Sequence, residues 1–285
     1  MTMLFTRRSV CAALLCLPGL LLTPGLAAAQ SAKPSPDKEV VYKTLDSGTL
    51  SLHVFNPPGH DPSKSASAIV FFFGGGWNGG SPSQFYGQSR AIADAGMVAM
   101  CAEYRVKSRN GTSPKECVSD GKSAIRWVRS HANDLGIDPD RIAAGGGSAG
   151  GHVAAATAMV DDFDDPSDDQ SISPRPAALL LFNPVFDNGP EGYGYDRVKA
   201  YWQKISPLHN LDADSPPTIF FLGTQDKLIP VSTGKAYQDK MQALERRCEM
   251  HLYQDAKHGF FNKGEPYQDT LAKSLAFLKS LGYIE

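Results

Sequence analysis

One serine lies between pairs of glycines, at the point where a strand-like run gives way to a helix-like run. The segment is Gly146-Gly147-Ser148-Ala149-Gly150, which follows the apolar run 141–144 and opens the Ala-rich stretch 149–159. Strand, sharp turn and helix form the context in which a G-x-S-x-G sequence presents a serine hydroxyl at the top of a sheet. Glycines are needed there because a Cβ beside the strained serine would clash with the adjoining strand and helix. The helix N-terminus also favours negative charge that develops beside Ser148.

Short, continuous apolar runs alternate with helix-like segments from residue 40 onward. Continuous apolarity is typical of strands covered on both faces, and parallel neighbours need crossover connections. The sequence therefore predicts an α/β fold with a mostly parallel, eight-stranded sheet, helices on both faces and two edge strands joined at Ser47-Gly48. The predicted strands are 40–45, 50–56, 68–73, 97–102, 141–144, 177–182, 218–222 and 250–253, and the helices are 83–95, 116–135, 149–159, 235–246 and 270–281. The long segment 183–217 predicts a small insertion between strands 6 and 7.

A serine hydroxyl is a weak nucleophile, so it needs a general base, and the base needs an orienting carboxylate. His258 follows the last strand-like run and Asp226 follows the preceding one. The chain order Ser148, Asp226, His258 is that of α/β-hydrolases, and we predict these residues as nucleophile, orienting acid and base. Two other sources of a carboxylate compete with Asp226. Asp255 lies too close in sequence to His258 to face it easily, and the aspartate-rich segment 161–169 follows the wrong strand. Of the other histidines, which we interpret as structural or surface residues, His152 is placed to brace the serine turn.

A second glycine turn follows the third predicted strand. Its sequence is Phe73-Gly74-Gly75-Gly76-Trp77, in the place where lipases and esterases commonly show His-Gly-Gly-Gly. Phe73 replaces the histidine and so removes a side chain that would brace the loop through hydrogen bonds. The oxyanion donors are backbone groups, however, and we predict them to be the N–H groups of Gly75, Gly76 and Ala149.

These motifs together resemble those of the α/β-hydrolase superfamily. Within it, the chain is similar to small secreted esterases of the hormone-sensitive-lipase type and of the acetyl-xylan/feruloyl-esterase type. The resemblance covers residues 40–285 and depends on five segments in order: Gly-Gly-Gly-Trp, Glu103-Tyr104-Arg105, Gly-Gly-Ser-Ala-Gly-Gly, Gly-Thr-Gln-Asp and Lys-His-Gly-Phe. It implies that Tyr104-Arg105 is structural and ties down the loop after the fourth strand.

The resemblance and the predicted export favour a serine esterase that removes acetyl or feruloyl groups from plant-type polysaccharides or oligosaccharides. A general short-chain carboxylesterase is the alternative. Four aromatic residues are candidates for a wall that receives sugar rings or aryl groups, and packing of the core or of a lid is the alternative role for them. They are Trp77, Tyr193, Tyr195 and Trp202.

The N-terminus has the pattern of a cleavable secretory signal peptide. Arg7 and Arg8 precede the apolar run 10–22, which leads to the small residues Ala27-Ala28-Ala29. The run is too short for a stable membrane anchor. We therefore expect a signal peptide at 1–29, a linker at 30–39, a single hydrolase domain at 40–285, and an exported protein, by either the general or the twin-arginine route.

Composition and motif context limit the remaining functions. Lys and Arg total 28 against 30 Asp and Glu, and the basic residues are scattered, so nucleic-acid binding is not expected. Both glycine turns also match G-x-G-x-x-G, which leaves an exported NAD(P)-dependent oxidoreductase as a minor alternative, and a catalytically silent binding scaffold is another. A peptidase is disfavoured, because exopeptidase relatives add a propeller or a large cap, and residues 40–285 leave no room for such a domain beside the hydrolase domain. We expect no metal and no cofactor, and interpret the aspartate-rich segment 161–169 as a solvated loop.

Overall fold

A sheet of eight strands and the helices between them make up the part of the chain that the computed structural model describes, residues 1–5 and 34–285. Residues Pro34–Glu285 form one compact unit, whereas the predicted signal peptide beyond residue 5 lies outside the described residues. The strands are β1 Lys38–Leu45, β2 Gly48–Phe55, β3 Ala66–Phe72, β4 Val98–Ala102, β5 Ile137–Gly147, β6 Ala178–Phe182, β7 Thr218–Gly223 and β8 Cys248–Tyr253. The helices are α1 Tyr86–Asp94, α2 Lys107–Asn110, α3 Pro114–Ser130, α4 Ala132–Leu135, α5 Ala149–Met159, α6 Tyr195–Val198, α7 Trp202–Ile205, α8 Val231–Ala243 and α9 Gly264–Ser280.

The strand order in the sheet is β1-β2-β4-β3-β5-β6-β7-β8. The pairs β1–β2 and β2–β4 are antiparallel, and β4, β3, β5, β6, β7 and β8 pair in parallel. The prediction of a mostly parallel sheet is confirmed. Because the carboxyl ends of parallel strands meet at one edge, the segments after β3, β5, β6, β7 and β8 converge there.

The apolar core is divided by the sheet into two layers. One layer includes Val128 of α3, Val153 of α5 and Met241 of α8, and the other includes Ile92 of α1 and Phe277 of α9. All eleven residues of α5 are buried, which agrees with its Ala-rich sequence, since small side chains let a helix lie close against the sheet. Helices therefore cover both faces, as the continuous apolarity of the strands requires.

One helix predicted over 116–135 is in fact two. The longer one, α3, begins with Pro114 after a capping box. In it, the Ser113 side chain accepts the backbone N–H of Glu116, and the Glu116 side chain accepts the backbone N–H of Ser113. It ends at His131, whose backbone leaves the helical region, and α4 continues to the left-handed Gly136. Apolar periodicity continues across the break, which explains why the sequence pattern did not mark it.

The aspartate-rich loop lies against α3, so its interpretation as a simply solvated loop is wrong. Asp165 is 2.6 Å from Nζ of Lys43, and Asp164 is 2.6 Å from Arg126. Lys122, which is 1% exposed at its side chain, lies 3.2 Å from Asp164. The carboxylates thus neutralise cations that the fold has buried. Among the described residues, no group of His, Cys, Asp and Glu side chains is arranged to hold a metal ion.

Among the helices of the described residues, none is long and apolar enough to cross a membrane. Cys101, Cys117 and Cys248 are all free thiols.

Candidate active site

Three side chains from the ends of β5, β7 and β8 meet at the carboxyl edge of the sheet. The Oγ atom of Ser148 lies 2.8 Å from Nε2 of His258, and Nδ1 of His258 lies 2.7 Å from Oδ2 of Asp226. These are hydrogen-bond distances. The structure therefore brings together the three residues that the sequence pairs as nucleophile, base and orienting acid.

The environment of Asp226 keeps its carboxylate ionised. Its side chain is fully buried, and burial alone would raise the pKa. The hydrogen bond from His258 and the backbone N–H groups of Ile229 and Leu228 outweigh burial and lower the pKa of Asp226 below its usual value. An ionised Asp226 accepts a hydrogen bond from Nδ1–H of His258, which leaves Nε2 of His258 as the acceptor for the Ser148 hydroxyl.

The turn at Ser148 is strained, and the glycines around it allow that strain. Ser148 has φ 54° and ψ −119°, a region that non-glycine residues seldom occupy. A Cβ at Gly146 would lie 2.5 Å from the carbonyl oxygen of Gly150, and one at Gly150 would lie 2.1 Å from that of Phe72. The backbones of β3, β5 and α5 approach so closely that only glycine fits at these positions. Ser148, between them, lines the cavity.

The glycine turn after β3 provides unoccupied backbone donors beside Ser148. Within residues 34–285, the N–H groups of Gly75, Gly76 and Ala149 donate to no protein acceptor. The carbonyl of Gly75, which belongs to the same peptide group as the Gly76 N–H, accepts from Asn78 at 3.0 Å and from Gly79 at 3.2 Å. The Gly75–Gly76 peptide is thus held from its far side. Donors fixed before substrate arrives are what stabilisation of an oxyanion requires.

A cavity of about 520 Å³ opens over Ser148 and His258. Of the four aromatic residues predicted to contact substrate, only Tyr193 lines it. Trp77 is 2% exposed and packs edge-on against His152, with ring centroids 5.0 Å apart. Trp202 packs edge-on against His209 at 4.9 Å, and Tyr195 is half-buried outside the cavity lining. Burial of apolar surface thus holds Trp77 against α5 and Trp202 within the insertion, away from the cavity.

His152 lies at the base of the turn, as its position one helical turn after Ser148 suggests. It is fully buried, and its Nε2 lies 3.0 Å from the carbonyl oxygen of Ile205. Burial lowers the pKa of His152 to about 4, against the smaller raising effect of its hydrogen bond to the Ile205 carbonyl. It therefore connects α5 to the insertion as a neutral side chain.

Five polar residues of the cavity were not identified from the sequence, and Asn78 of the glycine turn is one of them. Asn183 directly follows β6, and its Oδ1 accepts the N–H of Gly259 at 2.9 Å. Gln84, Asn262 and Arg197 also line the cavity. Asn183 has a detectable signal, because a polar residue at the carboxyl end of a central strand lies at this edge. Gln84, Asn262 and Arg197 belong to short helical segments outside the sheet, and their approach to the site depends on tertiary structure.

The loop after β4 is held as the resemblance implies for Tyr104-Arg105. Tyr104 donates its hydroxyl to the carbonyl of Phe73. Arg105 forms a two-bond contact with the buried Asp120, at 2.8 Å and 2.7 Å. These contacts fix the position of the glycine turn relative to β4 and α3.

Known proteins match most of this chain. The BD-FAE family matches residues 52–178, and the Prolyl oligopeptidase family matches residues 178–282. The apo structure of Thermogutta terrifontis esterase 2 is 44% identical, with a TM-score of 0.85, and the match covers 89% of this chain and 97% of that one. The propionate-bound and butyrate-bound structures of that esterase match with a TM-score of 0.83.

Curated relatives are more distant. An acetylxylan esterase of Xylanibacter ruminicola is 26% identical over 92% of this chain and 55% of its own length. The probable carboxylic ester hydrolase LipM of Mycobacterium tuberculosis is 25% identical over 69% of this chain and 49% of its own length. The chain thus spans about half the length of the curated relatives that it matches.

The fold and these likenesses define the class. The chain belongs to the α/β-hydrolase superfamily, and within it to the carboxylic ester hydrolases of the serine type.

Proposed function

We propose that the protein is a serine esterase that removes short acyl groups, acetyl above all, from hydroxyl-rich alcohols such as oligosaccharides. His258 takes the proton of the Ser148 hydroxyl while Oγ attacks the ester carbonyl carbon. The resulting oxyanion accepts hydrogen bonds from the N–H groups of Gly75, Gly76 and Ala149. Asp226 orients His258 and stabilises its charged form.

The reaction then proceeds in two halves with the same groups. When the tetrahedral intermediate collapses, the alcohol leaves with the proton held by His258, and the acyl group stays on Ser148. A water molecule gives its proton to His258 and attacks the acyl carbon. The second collapse returns the proton to Oγ and releases the carboxylic acid.

The composition of the cavity wall is the observation that carries the substrate proposal. Four carboxamide side chains line it, and the large apolar side chains in the described wall are separate ones, those of Tyr193, Leu228 and Phe261. A long acyl chain requires a continuous apolar trough, whereas carboxamides pair with hydroxyl groups. The carboxamides are those of Asn78, Gln84, Asn183 and Asn262.

A general short-chain carboxylesterase is the second candidate. Thermogutta terrifontis esterase 2 has been solved with propionate and with butyrate, which favours a small acyl pocket without specifying the alcohol. The two candidates therefore share the acyl half of the substrate and differ in the alcohol half. Feruloyl esters are the third case, and they would place an aryl ring near Tyr193.

The test measures acetate release from acetylated xylan oligosaccharides beside hydrolysis of p-nitrophenyl acetate, butyrate and octanoate and of methyl ferulate. Ser148→Ala serves as the blank. We expect kcat/KM for the acetylated oligosaccharides to exceed that for the nitrophenyl esters once both are corrected for their rates of uncatalysed hydrolysis. Turnover confined to nitrophenyl esters would assign the general carboxylesterase instead, and the absence of any Ser148-dependent turnover would leave the silent scaffold.

We also propose that the chain is exported, on the basis of the pattern in residues 1–29. Expression of the full chain in a bacterial host, followed by mass spectrometry of the exported fraction, tests this. A mature N-terminus at Gln30 is expected, and recovery of only the intact chain in the cytoplasm contradicts it.

A further inference from the structure

The peptide group between Phe73 and Gly74 is fixed at both of its polar atoms by side chains from other segments. Its carbonyl oxygen accepts from the Tyr104 hydroxyl, and its N–H donates to Oε1 of Gln84 at 2.6 Å. Gln84 belongs to the 3₁₀ helix Pro82–Phe85. This peptide leads directly into the proposed oxyanion donors. Its orientation therefore affects where those donors point.

The loop approaches the nucleophile closely at this point. A Cβ at Gly74 would lie 3.4 Å from Cβ of Ser148 and 2.9 Å from the carbonyl oxygen of Gly147. A small rotation of the Phe73–Gly74 peptide would therefore change the spacing between the loop and Ser148. Displacements of about 1 Å in a catalytic arrangement are enough to reduce rates by about 100-fold.

The other end of the Gln84 amide reaches the loop that carries His258. Its Nε2 donates to Oδ1 of Asn262 at 3.1 Å, and Nδ2 of Asn262 donates to the carbonyl of Gly259 at 2.8 Å. The N–H of Gly259 then donates to Oδ1 of Asn183 at 2.9 Å. A continuous chain of hydrogen bonds thus runs along the cavity wall from the oxyanion loop to the residue that follows His258.

The directions of these hydrogen bonds agree along the whole chain. Gln84 accepts with its oxygen and donates with its nitrogen, and Asn262 does the same one step further on. Rotating either amide by 180° would set N–H against N–H or oxygen against oxygen. Each carboxamide therefore has one satisfied orientation, and the chain holds the two loops in one mutual arrangement.

Phe73 gives a reason why the glycine turn needs a polar contact from another segment. The ring of Phe73 is buried and stacks on Tyr104, with centroids 4.1 Å apart, so it cannot make the hydrogen bonds available to the histidine common at this position. Gln84 supplies a polar contact to the same turn from a different segment.

We propose that Gln84 is a positioning residue that sets the geometry between the oxyanion donors and His258. The inference rests on the proposed esterase mechanism, because the geometry that it describes is that of the proposed donors and base. Gln84 acts through Gly74 on one side and through Asn262 on the other. The effect is greatest in the transition state, where charge develops on the oxyanion and on His258.

The first test compares Gln84→Met with Gln88→Met, both assayed on p-nitrophenyl acetate together with their melting temperatures. Gln88 is buried on α1, one helical turn further on, and does not line the cavity, so it reports the general cost of the same substitution. We expect kcat of Gln84→Met to fall about tenfold with KM within about twofold. Gln88→Met should keep kcat, with an equal or larger drop in melting temperature.

The second test uses pH. In Gln84→Glu the carboxyl group still accepts the Gly74 N–H, but it donates to Asn262 only when protonated, and its ionised form places negative charge near the oxyanion. The ratio of its kcat to that of the wild type, taken at each pH, should therefore rise as pH falls toward about 4.5. A role confined to stability would leave that ratio flat, which would count against the proposal.

Amide hydrogen exchange gives a readout that does not depend on turnover. Gln84→Met should accelerate exchange in both 73–80 and 258–262, whereas Gln88→Met should accelerate neither. Unchanged exchange in either segment, or a kcat within twofold of an active wild type, overturns the inference. If the wild type itself lacks Ser148-dependent esterase activity, the proposed function fails, and the exchange result alone decides whether Gln84 couples the two loops.

Discussion

Nδ1 of His258 lies 2.7 Å from Oδ2 of Asp226, and the other oxygen of that carboxylate is held by the backbone N–H groups of Leu228 and Ile229. We predict that Asp226→Asn lowers kcat roughly 10⁴-fold on p-nitrophenyl acetate at neutral pH, because an amide can donate to Nδ1 and so favours the wrong tautomer of His258. Steady-state kinetics at saturating substrate measure this change.

Asp255 provides the matched control. It is exposed and accepts from the side chains of Gln225 and Gln254, and it belongs to the same edge of the sheet as His258. Asp255→Asn should keep kcat within about twofold. A comparable loss in both variants would mean that Asp226 is not specifically the orienting acid.

The glycine turn after β3 can be tested at the backbone itself. A Cβ at Gly75 would lie 2.3 Å from the carbonyl oxygen of Gly79, and Gly75 has a φ of +129°. Gly75→Ala must therefore displace the Gly75 and Gly76 N–H groups, and we expect kcat to fall about 100-fold. Kinetic assays and circular dichroism of the same preparation separate loss of catalysis from loss of fold.

Gly79→Ala is the control within the same loop. Its added Cβ would meet nothing closer than 3.7 Å, at Oγ of Ser108, and its N–H is retained. Near-normal kcat is expected. If Gly79→Ala is as inactive as Gly75→Ala, any change in this loop abolishes activity, and the loss in Gly75→Ala is not specific to the Gly75 and Gly76 N–H groups.

Much of the architecture was predictable because it depends on local patterns. Continuous apolar runs mark the buried strands, and the glycine spacing around Ser148 marks the sharp turn. The pairing of Lys43 with Asp165 was not predictable, since their side chains come from opposite ends of a long stretch of chain. The break at His131 was missed because the apolar period continues through it.

The candidate site was predictable to a similar degree and for the same reason. Ser148, Asp226 and His258 each follow a strand that the sequence itself marks, so parallel order brings them to one edge. Trp77 illustrates the limit of that argument. Its position after a strand predicts a cavity residue, yet its φ of +55° and its packing on His152 turn the ring into the interior. Neither is visible in residue type or spacing.

Two neighbouring tyrosines distinguish contact with substrate from packing in the insertion. Tyr193 lines the cavity, and its ring lies 5.6 Å from the guanidinium of Arg197, whereas Tyr195 does not line the cavity. We expect Tyr193→Ala to raise KM for an aryl ester about fivefold, equivalent to roughly 1 kcal/mol of lost contact. Tyr195→Ala should leave KM unchanged. Equal effects on KM would indicate that the insertion acts as a whole, without a direct contact from Tyr193.

The buried His152 predicts how stability varies with pH. Its pKa is about 4 in the folded protein, against about 6.5 in an unfolded chain. Between these pH values His152 binds a proton in the unfolded chain but not in the folded protein. The free energy of unfolding therefore falls as pH drops from about 6.5 to about 4, by roughly 3 kcal/mol over that range. Urea unfolding at pH 7.5 and pH 4.5 measures the loss, and His152→Gln should reduce the difference between the two by a similar amount.

Met159→Leu, a buried change without a titrating group in the same helix, should keep the wild-type difference. An unaltered difference in His152→Gln would mean that His152 is protonated in the folded protein or exposed to solvent, contrary to its buried, neutral position between α5 and the insertion.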